Sequence, residues 1–340
     1  MFLKFVTREG KLEYGKSNID FDKFYFFTYS REAIYQIAEE VNLNNSSEVI
    51  VPNYICNTVI DILFEYTKNI KFYKIDKNLK FDDKEIKGLI NKKTKMILFV
   101  DYFGVETVVN HELVSFIKDS NIIIIKDSAH SFLTLVKNNF NSSYKYDYMV
   151  SSIYKNLPLG VGAIATGNFT KEHKYIDKKT IIKRKIIIKI KNILCFLGIN
   201  IINKNIENLN ITTDKYIVYN GKNYYDNYQN ILNNINYDKI ISNRDNLALD
   251  YYEYFKENSL FELDEIKRSS LQVFPIWCSS KEKRDQILNT MRENCIDAFT
   301  WATFHKIAAN EYLWEHILLL PLNDMVLKLA KEKKLKCMIM

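Results

Sequence analysis

The chain has 340 residues, 47% hydrophobic and 26% charged, enough for a sizeable core in two or three domains, or in one large α/β domain with an appendage. Its 48 basic and 41 acidic side chains leave a net charge of +7, but no nucleic-acid-binding motif accompanies the excess, so a nucleic-acid role is set aside. Five widely spaced cysteines (Cys56, Cys195, Cys278, Cys295 and Cys337) offer no metal spacing and read as reduced thiols of a cytoplasmic protein, with neither a signal peptide nor an apolar run of about 18 residues that would span a membrane.

Residues 1–27 read as an irregular or strand-like lead-in. Ala33, Ile34, Ile37, Ala38 and Val41 then fall at helical spacing and predict an amphipathic helix from Arg31 to Leu43, with Ser30 as its N-cap. Glu48–Pro52 reads as a short buried strand, Thr58–Tyr66 as a helix, Lys71–Asp76 as a strand and Asp82–Ile90 as a helix. Lys95–Val100 is a strand ending at Asp101-Tyr102-Phe103-Gly104, His111–Lys118 a helix, and Ile122–Ile125 an apolar run that ends at Asp127. Strands alternating with helices predict βα units and a mostly parallel sheet. Continuously apolar strands fit a sheet covered on both faces. Ligands of such sheets sit beyond the carboxyl ends of the strands, where Pro52, Gly104 and Asp127 all fall. Beyond Thr166 the chain is basic and apolar over 178–199, then rich in Asn and Tyr over 200–235. A helix from Ile240, a strand over Leu271–Cys278, a helix over Lys281–Asn294 and a helical tail from Asn323 read as a small α+β domain. The expected division is a large domain over 1–235, with 168–235 as its connecting region, and a small domain over 236–340.

Two stretches carry the chemistry. Asp127-Ser128-Ala129-His130 follows one buried strand. Lys155 follows another strand-like run, Tyr148-Met149-Val150, and precedes Gly160-Val161-Gly162. An acid and a lysine at such strand ends can hold an aromatic aldehyde cofactor. The lysine forms a Schiff base, and the acid keeps the ring nitrogen protonated so that the ring withdraws electrons. That pattern predicts pyridoxal 5'-phosphate. Read singly, Asp127 is equally a helix cap and Lys155 a surface lysine. Ser30 and Arg31 open a helix, whose free N–H groups suit a phosphate, or are a plain cap and a solvated arginine. In 178–199, Ile181, Ile182, Ile186, Ile187, Ile190, Ile193, Leu194 and Leu197 line a helix. It either packs on the large domain with its lysines in solvent or lies on a membrane surface.

Read in order, these stations resemble the DegT/DnrJ/EryC1/StrS sugar aminotransferases, pyridoxal-phosphate enzymes of fold type I. The resemblance runs from about Tyr29 to Leu322. Glu48-Val49-Ile50-Val51-Pro52 is similar to the family's "EVIVP" strand, and Lys95–Gly104 to its strand ending in an aromatic-Gly pair. Asp127-Ser128-Ala129-His130 is similar to its Asp-x-Ala-Gln/His. Lys155, Gly160–Thr166, Phe274-Pro275-Ile276, Cys295-Ile296-Asp297 and Leu318–Leu322 follow in the family's order. Tyr29-Ser30-Arg31, Ser151–Tyr154 and Asn156–Gly160 depart from its usual loops and mark a divergent branch.

The resemblance implies a three-layer large domain and a smaller α+β C-terminal domain. It implies Lys155 and Asp127 as catalytic and cofactor-binding residues, and His130 at the cofactor's phenolic oxygen or ring. Ser152, or Ser151, would give a hydroxyl to the phosphate. Tyr54 and Cys56 lie in the loop that covers the ring; since a cysteine cannot stack, Tyr54 or Tyr102 would take over. It further implies a nucleotide-linked keto-sugar as amino acceptor, glutamate as donor, ping-pong half-reactions and a homodimer. A second-subunit ligand to the phosphate would come from 200–246, and the pathway would be surface polysaccharide or amino-sugar biosynthesis. The other readings are a catalytically idle structural or regulatory protein of that pathway, and a pyridoxal-phosphate enzyme that does not transaminate.

Overall fold

The computed structural model describes residues 6–171, 173–196, 223–301 and 311–339. Seven strands form one sheet: β1 (Tyr25–Phe27), β2 (Glu48–Pro52), β3 (Ile70–Tyr73), β4 (Thr94–Val100), β5 (Ile123–Asp127), β6 (Tyr148–Ser152) and β7 (Ala163–Thr166). Their order is β1-β7-β6-β5-β4-β2-β3. Strands β6, β5, β4, β2 and β3 run parallel, while β7 is antiparallel to both of its neighbours. The helices between these strands are α1 (Ser30–Glu40), α2 (Asn57–Tyr66), α3 (Asp83–Leu89), α4 (His111–Asp119) and α5 (Phe132–Lys137). This is the α/β sheet that the alternation predicts.

The sequence explains the burial. All five residues of β2 are buried, as are Met96 to Val100 in β4, because a parallel sheet is covered on both faces. Helix α1 contributes Ala33, Ile34, Ile37 and Ala38, and α4 contributes Leu113, Val114 and Ile117. Each Ile, Leu or Val among them contributes about 1.5–3 kcal/mol by leaving water. Asn110 caps α4 by accepting from the Glu112 N–H at 3.0 Å.

The C-terminal part holds α8 (Tyr237–Phe255), α9 (Leu263–Arg268), α10 (Lys281–Glu293), α11 (Glu311–His316), α12 (Asp324–Glu332) and α13 (Leu335–Ile339), after α6 (Lys178–Phe196) and α7 (Tyr225–Asn233). Its strands β8 (Phe274–Trp277) and β9 (Ile317–Leu320) pair antiparallel. The predicted strand over Leu271–Cys278 is thus shorter, and α5, α7 and α9 were not foreseen. Two glycines let the parts approach. A Cβ on Gly104 (φ +111°) would stand 2.6 Å from Leu271 Cα, and one on Gly162 (φ +117°) would stand 1.8 Å from the Tyr228 hydroxyl. Side chains rarely adopt these angles, and there is no room for one.

Two expectations are corrected. Ser30 does not cap α1: Tyr29 holds that position, and no side chain caps the helix. The Ser30 hydroxyl is engaged by Ser152 instead. The isoleucines of α6 are not packed on the large domain as one face. Ile181 and Cys195 are buried, but Ile182 (48%), Ile186 (53%), Ile190 (49%) and Ile193 (50%) stand about half exposed. The apolar residues are spread around the helix, so the face that meets the protein takes only some of them. No helix among the described residues is long and apolar enough to cross a membrane. The Asn- and Tyr-rich stretch up to residue 222 lies outside the described residues, together with any second-subunit ligand expected there. The four cysteines whose side chains are described (Cys56, Cys195, Cys278 and Cys295) are free thiols.

Candidate active site

The carboxyl ends of the central strands open into one cleft. Asp127 ends β5, and Lys155 closes the 3₁₀ turn Ile153–Lys155 that directly follows β6. Ser30 and Arg31 begin α1. All four line the cleft together with Cys56, Ala129, His130 and Trp301. A wider outer cavity of about 520 Å³ continues from it and is bordered by Arg8, Glu9, Tyr154, Arg184 and Phe299. That volume is in the range of small-molecule sites.

Asp127 is buried, and the only hydrogen bond to its carboxylate among the described residues is from the Ala129 N–H at 3.0 Å. Burial pushes its carboxyl above the usual range, against the pull of the Lys155 charge. A cationic ring nitrogen placed there would supply the partner that Asp127 lacks. The Lys155 amine makes no ion pair among the described residues, and Gln272 donates to the Lys155 carbonyl at 3.3 Å. His130 stacks on Phe103 (5.5 Å, 14°) and meets Trp301 edge-on at 4.8 Å. Burial, then the charges of Lys155 and Arg8, hold its imidazole well below its ordinary pKa, so it is neutral. The Phe103 N–H lies 3.5 Å from Nδ1, an arrangement that leaves the proton on Nε2.

Ser152 donates to the Ser30 hydroxyl at 2.8 Å, whereas Ser151 donates to the Ser128 carbonyl at 2.8 Å. Ser152, not Ser151, therefore joins the N-terminus of α1. Cys56 reaches the cleft. Tyr54 does not line it: its hydroxyl bonds the Trp301 carbonyl, and its ring stacks on Tyr102 at 5.6 Å. Trp301 and Gln272 were not foreseen. Both lie more than a hundred positions from Lys155, and nothing in their local sequence marks them. The donor set fits pyridoxal phosphate: an amine, a buried carboxylate short of partners, a neutral imidazole, and two hydroxyls at an uncapped helix start.

Beside that helix start, Glu32 is buried and accepts from the Thr28 N–H at 3.1 Å. Burial raises its carboxyl to about 7, against the charge of Arg31. The folded state then keeps a proton that the unfolded chain releases near pH 4.5. This contribution favours folding at low pH and is lost as pH rises to about 7. Glu32→Gln is expected to be more stable than wild type at pH 8 by about 1–3 kcal/mol, with the gap closing below pH 5. Urea midpoints of both proteins across pH 4.5–8 test this, and a gap that does not change with pH refutes it.

Residues 32–166 match the model of the DegT/DnrJ/EryC1/StrS aminotransferase family. No curated protein matches the chain in sequence. Among solved structures, the chain is similar to Spr1654 of Streptococcus pneumoniae in its PMP-form, whose assigned name is that of a sugar aminotransferase. That likeness has 16% identity and a TM-score of 0.64, covering 99% of this chain and 97% of the other. It is also similar to a DegT DnrJ EryC1 StrS aminotransferase from Brucella abortus (15%, TM-score 0.59, covering 93% and 84%). A third is NtdA from Bacillus subtilis with bound cofactor PMP (16%, TM-score 0.59, covering 93% and 72%). At these identities the likenesses show the fold. The family model is thus matched over the segment that carries Asp127, His130 and Lys155, and the fold is shared with these enzymes over nearly the whole chain, as for a pyridoxal-phosphate-dependent aminotransferase.

Proposed function

We propose that the protein transfers an amino group from glutamate to a nucleotide-linked keto-sugar, in a cytoplasmic pathway that makes amino sugars for surface polysaccharide. The observation that carries this reading is the convergence of Lys155 and Asp127 in one cleft that widens into a cavity large enough for a substrate. When bound, pyridoxal phosphate supplies the electron-withdrawing ring that lets a proton leave the carbon bearing nitrogen. Lys155 is the amine that would hold the aldehyde and would move that proton as general base and acid. Asp127 holds the ring nitrogen protonated. His130, with its proton on Nε2, donates to the phenolic oxygen. Ser30, Ser152 and the N–H groups opening α1 hold the phosphate, with Arg31 adding charge. Cys56 lines the cleft where the ring would lie.

The domain over 1–235 holds the cofactor, and 236–340 contributes the covering side. A second copy completes the enzyme as a homodimer. The exposed stripe Ile182, Ile186, Ile190 and Ile193 supports an association of that kind, which sedimentation velocity reads directly. The decisive experiment adds glutamate to the purified protein loaded with pyridoxal phosphate. The visible absorption band is expected to bleach with glutamate and return with a nucleotide-linked keto-sugar. No band, or a band indifferent to glutamate, sinks the proposal.

A further inference from the structure

Helix α6 lies outside the segment that matches the family model, yet it forms one wall of the outer cavity. Gly160, at φ +85°, brings the turn after Lys155 against α6: a Cβ there would stand 3.5 Å from Arg184 Cβ. Arg184 is thereby held beside the lysine loop. Its guanidinium lies 5.4 Å from the Tyr29 ring and 5.0 Å from the Tyr154 ring, and these two rings meet edge-on at 5.6 Å. Two aromatic faces fix its position without neutralising it. Among the described residues it forms no salt bridge, and the charge of Glu9 acts on it only at longer range.

The charge balance of the cavity is one-sided. Arg8 is paired with Asp297 at 2.9 Å. Glu9 is the remaining carboxylate on the wall, against Arg31, Lys155 and Arg184. Arg184 borders the outer cavity but not the inner cleft that holds Asp127 and His130. Position then separates two anions. The α-carboxylate of an amino donor must sit beside the reacting carbon, in the inner cleft. The phosphates of a nucleotide-linked sugar lie several bonds beyond that carbon, in the outer cavity.

We infer that Arg184 is a specificity-determining residue, whose guanidinium binds the diphosphate of the amino acceptor through paired N–H···O bonds. The inference rests on the transamination reading above and names the side chain that recognises its acceptor.

The test measures binding of UDP, dTDP, GDP and inorganic pyrophosphate to the protein loaded with pyridoxal phosphate, by calorimetry. At least one nucleoside diphosphate is expected to bind, with pyrophosphate competing. Arg184→Gln is expected to weaken that binding by about 10–100-fold, the range for a lost charge-assisted contact. Arg184→Lys, which keeps the charge but not the fork, is expected to fall between. In steady-state kinetics, KM for the keto-sugar rises in the Gln variant while KM for glutamate holds, and near-UV circular dichroism confirms its fold. Wild-type protein that binds none of the four probes at millimolar concentration overturns the inference. So does unchanged affinity in Arg184→Gln, or a variant whose defect is in the use of glutamate. Arg184-dependent binding in a protein that glutamate does not bleach would leave the anion site standing and defeat the transamination reading alone.

Discussion

Lys155→Ala is expected to abolish turnover, with a loss of at least about 10²–10⁴-fold, the usual contribution of a positioned proton carrier. The same variant, purified with pyridoxal phosphate, lacks the visible band of the lysine-bound form and yields no borohydride-reducible adduct at this position. The expectation follows from where the amine stands. The turn after β6 puts Lys155 in the cleft with Asp127, close enough for its charge to oppose the burial of that carboxylate. Gln272 fixes the backbone at this residue by donating to its carbonyl. Lys155→Arg keeps the positive charge but offers no usable nucleophile, since a guanidinium does not deprotonate in proteins. The two variants should therefore fail alike in the absorption spectrum, while both fold. A Lys155→Ala protein that retains the band and turns over glutamate would remove the lysine from the chemistry.

Lys126→Ala is expected to cost about 3–5 kcal/mol, the range for breaking a buried ion pair from one side. Lys126 precedes Asp127 in β5, and successive strand residues face opposite sides of the sheet. Its side chain is fully buried and pairs with Glu106 and, at 3.7 Å, with Asp101. Ser142 accepts from its amine at 2.7 Å. Asp101 in turn accepts from the Ser128 hydroxyl at 2.6 Å and from the Thr107 N–H at 2.9 Å. Burial raises the Asp101 carboxyl to about 6 even against the charge of Lys126. Without the ammonium, two carboxylates are left without their counter-charge under the strand that carries Asp127. The urea midpoint measures the loss. The triple variant Lys126→Met, Asp101→Asn, Glu106→Gln is expected to recover most of it, because it removes the unpaired charges together. A Lys126→Ala midpoint equal to wild type would show that the cluster is not coupled to folding.

Much of the seven-stranded sheet was legible because its signals are local. The apolar runs Glu48–Pro52 and Ile122–Ile125, ended by proline and by aspartate, announce parallel strands on their own, and Glu48–Pro52 is β2 with those bounds. The periodicity after Ser30 announces α1, although its N-cap is Tyr29 rather than Ser30. A serine opening a helix is usually its cap, and only the arrival of Ser152 from β6 diverts the hydroxyl. Nothing local marks Lys126, because a lysine inside an apolar strand gives no sign of its partners. Its partners come from two other connections: Asp101 and Glu106 from the segment after β4, and Ser142 from the one between α5 and β6.

The chain by itself determined the sheet, the strand ends at which Asp127 and Lys155 stand, and the kind of cofactor those two groups suit, since each depends on residues a few positions apart. Only the tertiary structure decided what surrounds the cofactor. Trp301 rather than Tyr54 reaches the cleft, Gln272 steadies Lys155, and Arg184 enters the outer wall from a helix whose sequence reads as a plain basic stretch. Contacts between elements more than twenty positions apart are set by how helices and strands pack. The close approaches that permit them, at Gly104 and Gly162, acquire meaning only when the facing backbone or ring is in place.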